Sequence, residues 1–146
     1  RENVFWGGLT YNSHPVALRA AEAAIDVLVE EDLISRAAAL ESVMTREMER
    51  LAQKHPSLKT GRAIGLFGIL DIQKDAQGTP IAPYNGSHPA MAELRQFLLN
   101  EGLFTFLRWS HVFCNPPLTI TEEQLLEGFE ILDRGLAITD SAYEEA

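Results

Sequence analysis

Apolar side chains recur at helical spacing over the first third of the chain. Over Pro15–Glu30 the pattern is rich in alanine, with larger apolar residues three or four positions apart. A second pattern of the same period covers Asp32–Lys54, and charged residues of both signs alternate on its opposite side. His55–Pro56 follows, and a proline disfavours helix at the residue before it. The sequence therefore predicts two consecutive helices.

The period of the apolar residues changes after these helices. The run Ile64–Ile72 is short, apolar and partly β-branched, which predicts a buried strand, and its glycines indicate a bulge or close packing against a helix. Residues 73–86 are rich in Asp, Gly, Pro and Asn and predict a loop. Leu103–Trp109 alternates aromatic and aliphatic residues as a strand does, and Val112–Cys114 predicts another short strand.

Two further helices follow from their start signals. Ser87 is placed to cap a helix over Pro89–Asn100. Thr121 and Gln124 match a capping box at the start of a final helix that continues to about Asp140. Strands enclosed by helices, without strict strand–helix alternation, predict a small α+β domain in which one layer of short strands is covered by helices.

The composition excludes several classes of function. With 146 residues, of which 46% are hydrophobic, the chain is typical of one globular domain. Its net charge of −9 and the absence of a basic stripe argue against nucleic-acid binding. No apolar run reaches the length of a membrane span. A single cysteine excludes an internal disulfide and suits a reducing compartment, which predicts a cytoplasmic protein.

Metal binding and thiol catalysis are not predicted. His14, His55, His88 and His111 are widely spaced, and no pair has the i, i+4 spacing of a helical zinc site. Cys114 has only His111 nearby, whereas a nucleophile needs a base and a group that orients the base. We interpret Cys114 as a small packed side chain.

The glycine-rich segment Gly7–Val16 is the first candidate binding site. Its two glycines are free to adopt conformations closed to other residues, and Thr10, Asn12 and Ser13 add short polar side chains. Pro15 opens the first helix, so free N–H groups and the helix dipole would face an anion there. In the alternative interpretation the glycines only make a turn and Ser13 caps the helix.

Arg108 is the second candidate. It follows an apolar run, and a guanidinium at the end of a strand can bind a carboxylate or sulfonate through two parallel hydrogen bonds. The alternative is that Arg108 pairs with an acidic neighbour such as Glu101, or reaches solvent. Arg62 is a weaker candidate for a second anion contact. Asp71 is expected at the exposed end of its strand, because a buried carboxylate needs partners.

The order of several motifs resembles the class III (omega-amino-acid) aminotransferases. Gly7–Tyr11, with the Ser-His-Pro that follows it, is similar to the segment that comes after the cofactor lysine of this family. The likeness continues through Gly65–Phe67 and Gly102–Leu103 to Asn115–Thr121 and so covers nearly the whole chain. The run Gly102–Leu118 is most similar to the taurine–pyruvate aminotransferase branch. The resemblance implies the small C-terminal domain of a fold-type I transferase that depends on pyridoxal 5'-phosphate (PLP).

The same resemblance implies roles for particular residues. Thr10, with its neighbours Leu9 and Tyr11, would bind the phosphate of PLP in the active site of a neighbouring subunit, in a homodimer. Arg108 would hold the acid group of a substrate. The commonest family pattern has a glycine after this arginine, where the present chain has Trp109, and this departure leaves the role of Arg108 to be tested.

The implied organisation is a cofactor-contact segment over residues 1–14 and an aminotransferase small domain over residues 15–146. None of Lys54, Lys59 and Lys74 matches the cofactor lysine, so the chain alone is expected to be inactive. The full-length parent is expected to transfer an amino group from an ω-amine or amino acid, such as taurine or β-alanine, to a keto acid such as pyruvate. Two alternatives stay open: a related PLP reaction, and a non-catalytic module whose acidic helices bind a partner protein.

Overall fold

The computed structural model describes residues 7–144, which form two compact units. The first unit ends at Ile34 and the second begins at Ser35. The first unit contains a 3₁₀ turn at Leu9–Tyr11 and helix α1 at Pro15–Glu30, which confirms the first predicted helix. No residue of α1 is buried among the residues that the structure describes.

The second unit is built around a four-stranded antiparallel sheet with strand order β1-β2-β4-β3. Its helices begin with α2, whose first two residues precede Ser35. The elements are α2 (Leu33–Lys54), β1 (Leu58–Ile64), β2 (Phe67–Ile72), α3 (Pro89–Asn100), β3 (Leu107–Arg108), β4 (His111–Cys114) and α4 (Glu122–Asp140). The capping box of Thr121 and Gln124 is present at the start of α4. The predicted α+β class is therefore confirmed.

Histidines, rather than serines, cap two of the helices. Nδ1 of His14 accepts a hydrogen bond from a backbone N–H in the first turn of α1, and Nδ1 of His88 does the same for α3. The predicted cap Ser87 is therefore wrong, as is the cap Ser13 of the alternative interpretation of the glycine-rich segment. In each case the capping histidine is followed by a proline at the first helical position, where the missing N–H costs no hydrogen bond.

The strands differ from their predicted bounds in two places. The predicted single strand Ile64–Ile72 is the end of β1 and all of β2, joined by a tight turn in which Gly65 has a φ of 55°. The first six residues of β1 were not predicted as strand, because their polar and small side chains carry no apolar alternation. The predicted strand Leu103–Trp109 is reduced to Leu107–Arg108, although the carbonyl oxygen of Phe106 still accepts a hydrogen bond from the N–H of Phe113 at 2.9 Å.

One face of the sheet is buried under the helices. Leu70 of β2 and Val112 of β4 are paired in the ladder, and both are fully buried in the core. Helix α2 approaches the sheet closely because two strand positions are glycine. A Cβ at Gly61 would lie 2.7 Å from Cβ of Met48, and a Cβ at Gly68 would overlap the end of the same side chain. The predicted close packing of Gly68 against a helix is confirmed.

The opposite face of the sheet is open. Because successive strand residues point to opposite sides, Ile69 and Asp71 of β2 lie on this face. In the register of the sheet, Ile69 is paired with Phe113 and Asp71 with His111. The open face therefore has an apolar half around the aromatic rings and a polar half at the end where β3 and β4 are joined.

An ionic network connects the end of α2 to α4. His55 is buried, and its Nε2 lies 2.8 Å from a carboxylate oxygen of Asp133, while its Nδ1 lies 2.5 Å from Asp140. Arg50 and Lys54 also donate to Asp133, at 2.7 and 2.6 Å. Burial opposes the ionisation of Asp133, but the hydrogen bonds from Lys54, Arg50 and His55 outweigh it and hold the pKa of Asp133 well below its ordinary value.

Candidate functional site

The connection between β3 and β4 places a tryptophan beside the candidate arginine. Trp109 and Ser110 form a two-residue connection, and Arg108 and His111 on either side of it are paired in the sheet. The backbone of Trp109 has a φ of 54°, in the left-handed region that bulky residues seldom adopt. Trp109 is thus held in a conformation that the surrounding structure must stabilise.

Ser110 fixes this turn against the long loop that precedes α3. Its hydroxyl accepts a hydrogen bond from the backbone N–H of Ala82 at 2.9 Å and donates to the carbonyl oxygen of Ala82 at 2.8 Å. Its own carbonyl oxygen accepts from the N–H of Ile72 at 2.7 Å. Both Ser110 and Ala82 are buried. These hydrogen bonds bring Tyr84, two residues further along the loop, into contact with Trp109, with ring centroids 4.4 Å apart.

Arg108 is held by contact with an aromatic ring. Its guanidinium carbon lies 4.4 Å from the centroid of the Trp109 ring, within the range of a cation–π interaction. Within residues 7–144 no carboxylate or carbonyl oxygen accepts a hydrogen bond from Arg108. The predicted alternative partner, Glu101, pairs instead with Arg134 on α4. The N–H groups of Arg108 are therefore available to an anion.

Asp71 lies in the polar half of the same face but is already neutralised. Its carboxylate accepts a hydrogen bond from Arg62 at 2.9 Å and faces Nδ1 of His111 at 2.7 Å. The expectation that Asp71 sits at an exposed strand end is wrong, because the residue is half-buried between these two partners. Arg62 is engaged with Asp71 and Lys59 donates to the carbonyl oxygen of Gly78, whereas the Arg108 side chain has no hydrogen-bond acceptor among the described residues.

A cavity of about 300 Å³ opens beside the turn. Aromatic and charged side chains line it together, which suits a small ligand with one polar end. The side chains with chemistry to offer are those of Lys59, Asp71, Tyr84, Trp109, Ser110 and His111.

A second cavity, of about 220 Å³, is apolar and contains Cys114. Burial raises the pKa of the Cys114 thiol to about 12, so the thiolate is scarce at neutral pH. Over the part of the chain that the structure describes, no three His, Cys, Asp or Glu side chains are arranged to hold a metal ion. Over the same part, no helix combines the length and apolar character that crossing a membrane requires.

The candidate phosphate-binding residues share one exposed turn. Leu9, Thr10 and Tyr11 form the 3₁₀ turn that precedes α1, and all three are exposed. The Thr10 hydroxyl has no hydrogen-bond partner between Gly7 and Glu144. Gly8 has a φ of −75°, so the expected use of a glycine-only conformation is not met there.

The structure places the two predicted binding sites in different units and adds one residue to the second site. Thr10 and its neighbours lie in the first unit, whereas Arg108 lies in the second. The sequence analysis missed Tyr84, which belongs to a loop without periodic pattern. No local signal could have identified it, because its position depends on hydrogen bonds between Ser110 and Ala82, 28 residues apart.

Comparisons with known proteins agree on one family. The model of a family described as aminotransferase class-III matches residues 3–136 of the chain. The crystal structure of a taurine:2-oxoglutarate aminotransferase from Bifidobacterium kashiwanohense, in complex with PLP and glutamate, is similar to 95% of the chain. Its TM-score is 0.86 and its sequence identity is 33%.

Curated relatives include more than one kind of enzyme. An uncharacterised aminotransferase of Schizosaccharomyces pombe is 29% identical over 93% of the chain, and a leucine/methionine racemase of Thermococcus litoralis is 30% identical over 88%. The chain spans 31% and 28% of the length of these two relatives and 31% of the Bifidobacterium protein.

Proposed function

The chain belongs to the class-III aminotransferase family, and from that premise we propose that it is the C-terminal part of a PLP-dependent aminotransferase. The full-length enzyme transfers an amino group from an ω-amine or amino acid to a keto acid, with pyruvate as the first candidate acceptor. The observation that carries this proposal is the guanidinium of Arg108, which is presented on the open sheet face without a hydrogen-bond acceptor among residues 7–144.

Arg108 binds the acid group of the substrate in this proposal. A keto-acid acceptor and its amino-acid product both carry a carboxylate, and a sulfonate can likewise present two oxygens to one guanidinium. A guanidinium pairs with such a group through two parallel N–H···O bonds, which fixes the orientation of the substrate as well as its affinity. Asp71 does not compete for Arg108, because its carboxylate is already engaged by Arg62 and His111.

Thr10 contributes to the phosphate site of a neighbouring subunit. Its hydroxyl is exposed and has no hydrogen-bond partner in the described part of the chain, and a phosphate oxygen is a strong acceptor for it, so the residue fits this role. The cofactor, when bound, supplies the electron sink that the amino-group transfer requires, and protein groups orient it. Since none of the three lysines of the chain matches the cofactor lysine, we expect the chain alone to be inactive.

Taurine and β-alanine are the proposed donors. The similarity to a taurine:2-oxoglutarate aminotransferase supports a donor with a short ω-amine, and it adds 2-oxoglutarate to the acceptors to be tested. The similarity to a leucine/methionine racemase favours a second candidate, which is racemisation of an amino acid. The third interpretation, an acidic interaction module, is disfavoured because it gives no role to the segments that match the family.

The test uses the full-length protein that carries this chain. We expect alanine to form from pyruvate and one of the donors, and Arg108→Ala to raise KM for pyruvate by about 10- to 100-fold, the value of a lost charge-assisted pair. Thr10→Ala should weaken PLP binding about tenfold, measured by the cofactor absorbance. Formation of a D-amino acid without alanine would favour the racemase, and unchanged PLP affinity would remove Thr10 from the cofactor site.

A further inference from the structure

We propose that Trp109 is a positioning residue that holds the Arg108 guanidinium in place for the acid group of the substrate. The inference rests on the proposed function, in which Arg108 binds that group. It adds a residue and a mechanism. The ring of Trp109, which contacts Tyr84 and is called the aromatic shelf below, keeps the long side chain of Arg108 oriented before the substrate binds.

The backbone at Trp109 is the first sign of a special role. A positive φ at the first position of a two-residue connection is the usual place of glycine, which adopts it without steric cost. The largest side chain occupies it here. A strained residue persists only where its surroundings hold it, and such residues cluster at functional sites. The buried hydrogen bonds of Ser110 to Ala82 supply that restraint on the next residue.

The contacts of the indole ring are the second sign. Trp109 touches Tyr84 with 4.4 Å between ring centroids, and the guanidinium carbon of Arg108 lies 4.4 Å from the Trp109 ring. The ring is half-buried, so it is a fixed surface for a cation. No other described residue restrains the side chain of Arg108 through a hydrogen bond or an ion pair.

Contact with a ring is a suitable way to hold a binding arginine. A salt bridge would occupy the N–H groups that the substrate needs, whereas an aromatic ring interacts with the cation and leaves those N–H groups free. Fixing the side chain in advance reduces the rotamer entropy that is lost on binding. The shelf therefore favours a bidentate oxyanion, a carboxylate or a sulfonate, over a neutral carbonyl compound.

The neighbouring charges agree with this arrangement. A free carboxylate beside Arg108 would capture it or repel the substrate. The nearest one on the sheet face, Asp71, is engaged by Arg62 at 2.9 Å and by His111 at 2.7 Å. Among the described residues, the Arg108 guanidinium therefore has no carboxylate partner on this face and lies next to the Trp109 ring.

The experiment compares Trp109→Gly and Trp109→Phe in the full-length enzyme. The glycine variant adopts the same backbone conformation without strain but has no ring, whereas phenylalanine keeps a ring. We expect KM for pyruvate to rise roughly two- to fivefold in Trp109→Gly, with a smaller change in kcat, and to stay near the wild-type value in Trp109→Phe. An aldehyde acceptor without an acid group should show no such rise.

Phe104→Gly is the matched control and Arg108→Ala is the reference variant, and together they allow the possible outcomes to be distinguished. Phe104→Gly removes a ring that is 85% exposed from the segment before β3, and it should leave KM for pyruvate within about twofold. An unchanged KM in Trp109→Gly, together with a raised KM in Arg108→Ala, would overturn the role of Trp109 alone. An unchanged KM in Arg108→Ala would overturn the assignment of Arg108 and the shelf with it. Equal rises with pyruvate and the aldehyde would show a general structural effect and also overturn the proposal.

Discussion

The charge of Asp133 is predicted to be a large contributor to the stability of the second unit. The Asp133→Asn variant keeps the shape of the side chain and one acceptor oxygen but removes the negative charge. In the native protein that charge faces Nε2 of His55 at 2.8 Å, Arg50 at 2.7 Å and Lys54 at 2.6 Å. In the variant, Arg50, Lys54 and His55 face a neutral amide instead of a carboxylate. The amide nitrogen is itself a donor and finds no acceptor among these three residues.

The expected loss follows from the burial of each contact. The side chain of Asp133 is 15% exposed and that of His55 is 5% exposed, and breaking a buried pair costs about 3–5 kcal/mol. Lys54 is 58% exposed, so its contact contributes about 0–1 kcal/mol, as surface pairs do. Because asparagine retains one acceptor, we expect a loss of about 2–3 kcal/mol, or about 6–12 °C in Tm for a chain of this size.

The effect should depend on pH with a definite sign. The folded state holds the pKa of Asp133 below its unfolded value, so the unfolded chain binds more protons and stability rises with pH. The contribution is complete above the unfolded pKa of about 3.9 and is lost as the pH falls towards the lower folded pKa. The difference between wild type and Asp133→Asn should therefore be largest near pH 7 and should shrink below about pH 4.

The assay is urea unfolding of the chain, followed by far-UV circular dichroism at pH 7 and at pH 3.5. Glu127→Gln is the matched control, since it removes one charge from an exposed residue of the same helix that has no ion pair in the described part of the chain. It should change the free energy of unfolding by less than about 0.5 kcal/mol. Equal losses in the two variants, or a loss in Asp133→Asn that does not shrink at low pH, would refute the reasoning.

Three further predictions concern the core and a helix cap. Gly61→Ala should cost more of the free energy of unfolding than Gly68→Ala, about 2–3 against 1–2 kcal/mol. The new Cβ at position 61 meets Cβ of Met48, whereas the one at position 68 overlaps the flexible Cε ends of Met48 and Met44 and meets a fixed Cβ, that of Cys114, only at 3.3 Å; similar urea midpoints would contradict this. Cys114 is half-buried, and it should react slowly with a thiol reagent at pH 8, because its raised pKa leaves little thiolate, and quickly in denaturant; fast reaction in the native chain would contradict the raised pKa. Thr121→Ala should lower the free energy of unfolding by about 1 kcal/mol through loss of the capping box, and an unchanged Tm would remove that role.

The helices could be predicted from the sequence because their signals are local. The apolar period gave the bounds of α1 and α3, and the spacing of Thr121 and Gln124 gave the start of α4. The cap of α3, and that of α1 in the alternative interpretation, were assigned to the wrong residues, because histidine is not among the preferred capping residues and its ring nitrogen accepts only when it is unprotonated.

The sheet and the site depended on contacts that no local pattern encodes. Strand β1 is recognisable only through its partner β2, since its own residues lack an apolar alternation. Arg108 was identified from residue type and resemblance, and its free N–H groups were not foreseeable, because they require Glu101 to pair elsewhere. The contact between Trp109 and Tyr84 joins residues 25 apart in the chain (109 − 84) and was missed altogether.

The two outer strands of the sheet give the fold a defence against aggregation. An unpaired strand edge can template the addition of an extended segment from another molecule, and the risk grows with the length and flatness of the edge. On one side the sheet stops at β3, which has only two residues, and on the other it stops at β1, which carries the positive charges of Lys59 and Arg62. A second copy that approached the β3 edge would have only two residues with which to pair. At the β1 edge its own β1 would bring like charges together, so extension of the sheet is disfavoured at both edges.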